Sequence, residues 1–202
     1  KLERIEVIED ENVDLRLNFD VKKKSGKTVV ELKKVSKSFG ELDVLKNASI
    51  QVLRGDKIAL IGANGIGKST LLRIIEKTEP ITGEVEYGHN VITTVYAQHQ
   101  LESLTMKNTI LEELEAGGYQ KTEPELRNIL GCFMFKNDDV FKKIKMLSGG
   151  EKARVSLAKT LLEQANFMLL DEPTNHLDMQ SINLLTASLQ KYDGTLLVVS
   201  HN

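Results

Sequence analysis

The residues from Gly62 to Thr70 (GANGIGKST) fit the pattern G-x-x-x-x-G-K-[ST]. Glycine admits backbone conformations that a side chain forbids. Successive N–H groups can then face one concavity at a helix N-terminus, where the helix dipole also favours an anion. This is a cradle for a nucleotide phosphate, with Gly62, Asn64, Gly65, Gly67, Lys68, Ser69 and Thr70 as the expected contacts. Lys68 would neutralise the β- and γ-phosphates, and the Ser69 hydroxyl would ligate Mg²⁺. A second cluster lies far downstream. The run FMLLDE (167–172) delivers Asp171 and Glu172 behind four apolar residues, at the strand end where open α/β sheets bind ligands. Asp171 suits Mg²⁺, and Glu172 suits a water aimed at the γ-phosphate. An acidic pair alone reads as a solvated turn; the phosphate loop upstream is what makes it specific.

These groups need strands and helices to hold them. KIALI (57–61) reads as a buried strand before the loop, and 69–77 as the helix after it. FMLLD (167–171) and TLLVVS (195–200) are further buried strands, with helices over 150–164 and 181–190. LRLNFDV (15–21) and TVVELKKV (28–35) alternate as half-buried strands around a Lys-rich turn at 22–27. EVEYGHNVITTVY (84–96) predicts a strand pair turning at Gly88-His89-Asn90. Residues 105–146 read as largely helical, with breaks at Gly117-Gly118 and Gly131. Strands interleaved with helices predict an α/β fold whose mainly parallel sheet is covered on both faces.

The bulk numbers narrow the class. The chain has 202 residues, 41% hydrophobic and 5% aromatic, with 27 basic against 29 acidic side chains. A net charge of −2 is not the footprint of a domain built wholly around nucleic acid. Cys132 lies in the apolar run LGCFMF (130–135) and reads as a small buried hydrophobe. A single cysteine forms no internal disulfide, which fits a reducing, cytoplasmic setting. No stretch approaches the ~20 apolar residues of a membrane span, and the start does not read as a signal peptide.

At LSGGEKARVSLAKTLL (147–162) the chain resembles the signature segment of ATP-binding-cassette (ABC) proteins, and the family's other motifs surround it in order. The resemblance implies a P-loop NTPase core with an antiparallel β subdomain and a helical signature subdomain at about 99–146. It implies a nucleotide-binding domain over 28–202, with 1–27 as linker end and lead-in strand, and a C-terminus cut short after Asn202. It implies ATP and Mg²⁺ as ligand and cofactor. Phe39 matches the aromatic that stacks on adenine. Gln98 matches the glutamine that contacts Mg²⁺ and the attacking water, and His201 the switch histidine. Asp178 matches the aspartate at the dimer interface. Ser148, Gly149, Gly150 and Glu151 match the signature that closes over the ATP of a second cassette, head to tail. Glu172, His201, Gln98 and Lys68 thus form the expected catalytic set of an ATPase that is efficient only when paired.

Finer details resemble the F subfamily, whose members carry two cassettes and no membrane domain. These are DEPTNHLD (171–178), the glutamate in LSGGE, and the segment 130–151. That resemblance implies coupling of ATP state to the ribosome, with Lys22–Lys24 and Lys142, Lys143 and Lys145 available to rRNA or simply solvated. His176, His89 and His99 receive no chemistry. Two other readings stay open: the ATPase subunit of a membrane transporter, and a nucleotide-gated module with little turnover. A cassette of the SMC (DNA-repair) type would place a long coiled coil between the two phosphate motifs, and none fits here. Asn202 stands where the family usually has Asp.

Overall fold

Apolar runs and alternating stretches resolve into two sheets in the computed structural model, which describes residues 21–97, 103–175 and 177–200. In chain order the elements are β1 (Thr28–Phe39), β2 (Leu42–Leu53), β3 (Lys57–Ile61), α1 (Lys68–Ile75), β4 (Thr82–Tyr87) and β5 (Thr93–Tyr96). There follow α2 (Ile110–Glu115), α3 (Glu123–Cys132), two short 3₁₀ turns, α4 (Gly149–Leu162), β6 (Phe167–Asp171), α5 (Met179–Lys191) and β7 (Thr195–Ser200).

The first sheet is antiparallel, in the order β2-β1-β4. The second is parallel, in the order β3-β7-β6-β5. Alternation along β6 shows how the parallel sheet is covered. Met168 and Leu170 enter one apolar cluster with α2, α3 and α4; Phe167 and Leu169 enter the other with α1 and the antiparallel sheet. Successive side chains of a strand point to opposite faces, so β5, β6 and β7 serve both cores. β3 is not the buried strand expected at 57–61: it lies at the sheet edge, packs Ile58 and Leu60 on the second cluster, and leaves Lys57, Ala59 and Ile61 exposed. Leu169 and Leu170 are fully buried, and truncating either to Ala would cost about 2–5 kcal/mol.

The expected strand pair over 84–96 needs correction. The turn at Gly88–Asn90 exists, but it closes no hairpin: β4 pairs with β1, and β5 pairs with β6. Asn166 explains the crossing. Its amide accepts from Ile92 N–H at 2.9 Å and donates to the carbonyls of Asn90 and Lys23 at 2.8 and 2.6 Å. The segment is thereby handed from one sheet to the other. Gly131 likewise does not break α3, which runs on to Cys132; the chain reverses at Met134, whose φ is 67°. Gly117-Gly118 do end α2. β1 runs four residues past Val35, to Phe39. The strand expected over 15–21 lies, except for Val21, outside the described residues, and Val21 is not in a strand. Residues 21–27 lie against the body: Ser25 is buried, and Gly26 N–H donates to His89 O at 2.8 Å.

Cys132 is 4% exposed and donates its thiol to Asn128 O at 3.2 Å. Burial pushes its pKa up to about 11, so the thiolate is suppressed near neutrality, as expected of a packed hydrophobe.

Candidate nucleotide site

The loop between β3 and α1 turns because Gly65 and Gly67 take left-handed backbone, with φ of 83° and 95°. Gly67 has a second constraint. A Cβ there would sit 2.1 Å from Cγ1 of Val44 on β2, so the loop touches the β1–β2 hairpin at a position where only glycine fits. Gly67 is also the N-cap of α1, which has neither a side-chain cap nor an acidic residue in its first turn. The N–H groups and positive dipole end of α1 are thus left for a ligand. Lys68 Nζ folds over the loop, donating to Gly62 O at 2.7 Å and Ala63 O at 2.9 Å. Asn64 and Gly65 are exposed, whereas Thr70 is buried; Thr70 Oγ1 accepts from Arg73 at 3.5 Å.

The two phosphate motifs meet directly. Ser69 Oγ donates to Asp171 Oδ1 at 3.1 Å, across a sequence separation of 102 residues. Both line a small hollow of about 40 Å³ with Leu72, Arg73, Glu76, Val95 and Ala97. Two oxygen ligands at the mouth of a phosphate loop are the donor set that suits Mg²⁺, which takes one or two protein oxygens and the rest from phosphate and water. Among the described residues, no cluster of three or more His, Cys, Asp or Glu could hold a metal by itself.

Glu172 has φ of 51°, unusual for a residue with a side chain and costing of order 1 kcal/mol. Its N–H donates to Val199 O at 3.0 Å and its carbonyl accepts from Asn175 N–H at 3.0 Å. Its Oε1 is screened from solvent. The fold therefore fixes the carboxylate one residue beyond the Ser69–Asp171 pair.

The signature residues make a separate cluster. Ser148 caps α4: its Oγ accepts from Glu151 N–H at 3.2 Å, and its own N–H donates back to Glu151 Oε2 at 2.8 Å. This is a reciprocal capping box. The Ser148 N–H and hydroxyl, both bonded to the Glu151 carboxylate, hold its pKa below the usual value. Asp178 caps α5 and binds Arg154 of α4. Phe39 stands at the end of β1, 45% exposed, with the Lys37 ammonium 4.7 Å from its ring centroid. Gln98, His99, His176, His201 and Asn202 lie outside the described residues; Ala97, which precedes Gln98, lines the hollow. Motif reading passed over Val44, Lys37 and Arg154. The alternation of β1 places 37 and 39 on one side, which was a signal for Lys37.

A family model described as ABC transporter matches residues 45–175, more than half of the chain. The chain belongs to the ABC transporter family. The match spans the phosphate loop, the signature and the acidic strand end, so the chain is an ATPase domain of that family. The cassette is 43% identical to YdiF of Bacillus subtilis and 37% identical to ABC transporter F family member 5 of Arabidopsis thaliana, over its whole length in each case. It spans about a third of each of those proteins (32% and 30%). An ATP-bound bacterial Atm1-family ABC exporter shares the fold at a TM-score of 0.73 and 20% identity, over 91% of the cassette and 36% of the exporter chain.

Proposed function

We propose that this chain is one cassette of an F-subfamily protein in which Mg-ATP binding and hydrolysis control association with the ribosome. Hydrolysis rests chiefly on one observation, the meeting of Ser69 and Asp171 beside the phosphate loop. In this reading the Lys68 ammonium leaves the carbonyls of Gly62 and Ala63 for the β- and γ-phosphates. The hydroxyl of Ser69 and the carboxylate of Asp171 would hold Mg²⁺, which when bound would supply charge neutralisation on the phosphates. Glu172 orients a water and accepts its proton as oxygen attacks the γ-phosphorus, and ADP leaves. By the family resemblance, Gln98 and His201 would complete the set, the one contacting that water and the other the γ-phosphate.

The α4 N-terminus, with Ser148, Gly149 and Gly150, would close over the ATP of a second cassette, and Asp178 would lie at that interface. Glu151 serves here as the capping carboxylate that shapes this N-terminus, while the remaining first-turn N–H groups face the partner's phosphate. Phe39, exposed at the end of β1, serves as the base platform. The domain would run from 28 to 202, with 1–27 as linker end and lead-in, in a cytoplasmic protein.

The subfamily is supported by similarity over the whole of this chain, and 30% of each relative, to F family members 5 and 2 of Arabidopsis thaliana, at 37% and 36% identity. Among the described residues, no helix is long and apolar enough to cross a membrane. Lys22–Lys24 and Lys142, Lys143 and Lys145 are exposed and available to rRNA phosphates.

The test is ribosome co-sedimentation of the full protein carrying Glu172→Gln and its counterpart in the other cassette, in ATP and in ADP. Pelleting with ribosomes in ATP and release in ADP is the expected result. ATP binding without ribosome association in either nucleotide would leave the ATPase and remove the ribosome. Co-purification with a membrane partner would point instead to a transporter subunit.

A further inference from the structure

Two residues before Phe39, Lys37 is held more tightly than a surface lysine ordinarily is. Its ammonium pairs with Glu79 Oε1 at 2.7 Å and donates to Pro80 O at 2.9 Å. Only 11% of the Lys37 side chain and 16% of the Glu79 side chain are exposed, so this pair is shielded from the solvent screening that weakens most surface pairs. Glu79 Oε2 reaches on to Nε of Arg73, on α1, at 3.4 Å. An ammonium has three protons. Two are committed to Glu79 and Pro80, and the Phe39 ring centroid lies 4.7 Å from the nitrogen.

The consequence is geometric. One face of the Phe39 ring is taken by a cation, and that cation is tied through Glu79 and Arg73 to the helix that starts at Lys68. Val44, which lies across the ladder from Lys37 and Ser38, meets Gly67 and so braces the same end of the hairpin against the loop. A ring with a cation on one face that is still 45% exposed leaves apolar surface open to a ligand.

We propose that Lys37 is the positioning residue for the nucleobase: with Glu79 it fixes the Phe39 ring so that the purine of a nucleoside triphosphate stacks on the free face. This rests on the reading of Phe39 as base platform. An unbraced ring would have to be ordered when nucleotide binds, at the expense of affinity; the ion pair orders it beforehand.

The experiment compares Mg-ATP with Mg-tripolyphosphate, which has the phosphates and no base, by titration calorimetry on the full chain. Lys37→Met should raise the Kd for ATP by roughly threefold to tenfold and leave tripolyphosphate binding unchanged. Lys37→Arg, which keeps a cation and donors, should stay within about twofold of the parent for both. An equal loss for both ligands would mean that Lys37 supports only the loop's fold, and the proposal would be overturned. Phe39→Ala separates the two readings. Unchanged ATP affinity in that variant removes the base platform itself. Weakened ATP binding there, with parental affinity in Lys37→Met, leaves the platform and overturns the role of Lys37. Should Lys37→Met not fold, Glu79→Gln carries the same comparison, with ATP alone weakened as the supporting result and an equal loss, or none, as the overturning one.

Discussion

Arg154 of α4 donates from Nη1 to Asp178 Oδ2 at 2.8 Å, while the other oxygen of that carboxylate accepts the N–H of Ser181 at 2.9 Å. One side chain therefore caps α5 and ties it to the helix that carries the signature. The guanidinium also lies over the Phe135 ring, 5.4 Å from its centroid. Because α5 follows the strand end bearing Asp171 and Glu172, this link joins the two faces that the proposed function assigns to different ATP molecules.

The two roles of Asp178 are separable by substitution. Asp178→Asn keeps a capping oxygen and loses the charge, whereas Asp178→Ala loses both. The carboxylate is 49% exposed, so the ion pair is worth at most about 1 kcal/mol, and the cap about another 1 kcal/mol. Urea unfolding should place the Asn variant between the parent and the Ala variant. Coincidence of Asn and Ala midpoints would show that the cap contributes nothing.

Gly67→Ala should be severe. It combines a left-handed backbone with a Cβ 2.1 Å from Val44 Cγ1, and a loss of about 1–3 kcal/mol with weakened ATP binding is expected. Val44→Ala in the same chain removes the close contact and leaves the backbone strain. The double variant should recover part of the stability and not all of it, as read by thermal unfolding. Full recovery would mean that the φ angle costs nothing.

How much of this was readable in the sequence depends on how far apart the partners lie. The phosphate loop is contiguous, and β3, β6 and β7 are apolar runs, so composition alone marks them. β2 was not read, because its first half (LDVLKN) has no alternation and the clean alternation is confined to Ala48–Val52. The split of β4 from β5 depends on Asn166, far from either in sequence. The partners Arg154–Asp178, Lys37–Glu79 and Val44–Gly67 are likewise distant in sequence, so no period or local motif announces them. Those pairs supply the geometry that the motifs leave unspecified.

The capping box at α4 predicts a pH dependence. Ser148 holds the Glu151 carboxylate below its ordinary pKa of 4.5. A group depressed in the folded state contributes stability that is fully present above its unfolded value and is lost as pH falls through the folded one. Hydrogen-exchange protection at the first turn of α4, taken relative to the intrinsic rate at each pH, should thus be unaffected down to about pH 5 and fall below about pH 4. In Glu151→Ala the turn should already be frayed at neutral pH and show no such acid transition. An unchanged transition in that variant would assign it to another carboxylate.

Glu172 offers the sharpest contrast between stability and chemistry. Its left-handed backbone is a conformation that glycine adopts at no steric cost, yet the chain carries a carboxylate there. Glu172→Gln keeps the shape and removes the base, so ATP binding should persist in the full protein while phosphate release falls roughly 10²–10⁴-fold. Glu172→Gly removes both the base and the strain. It should be equally slow, and should unfold at a higher temperature than Glu172→Gln by an amount worth about 1 kcal/mol. A glycine variant that is inactive and more stable would show that this strain is retained for the position of the carboxylate. If turnover survived in either variant, Glu172 would leave the mechanism, and its strain would need a structural cause, to be sought in the contact of its N–H with Val199 O.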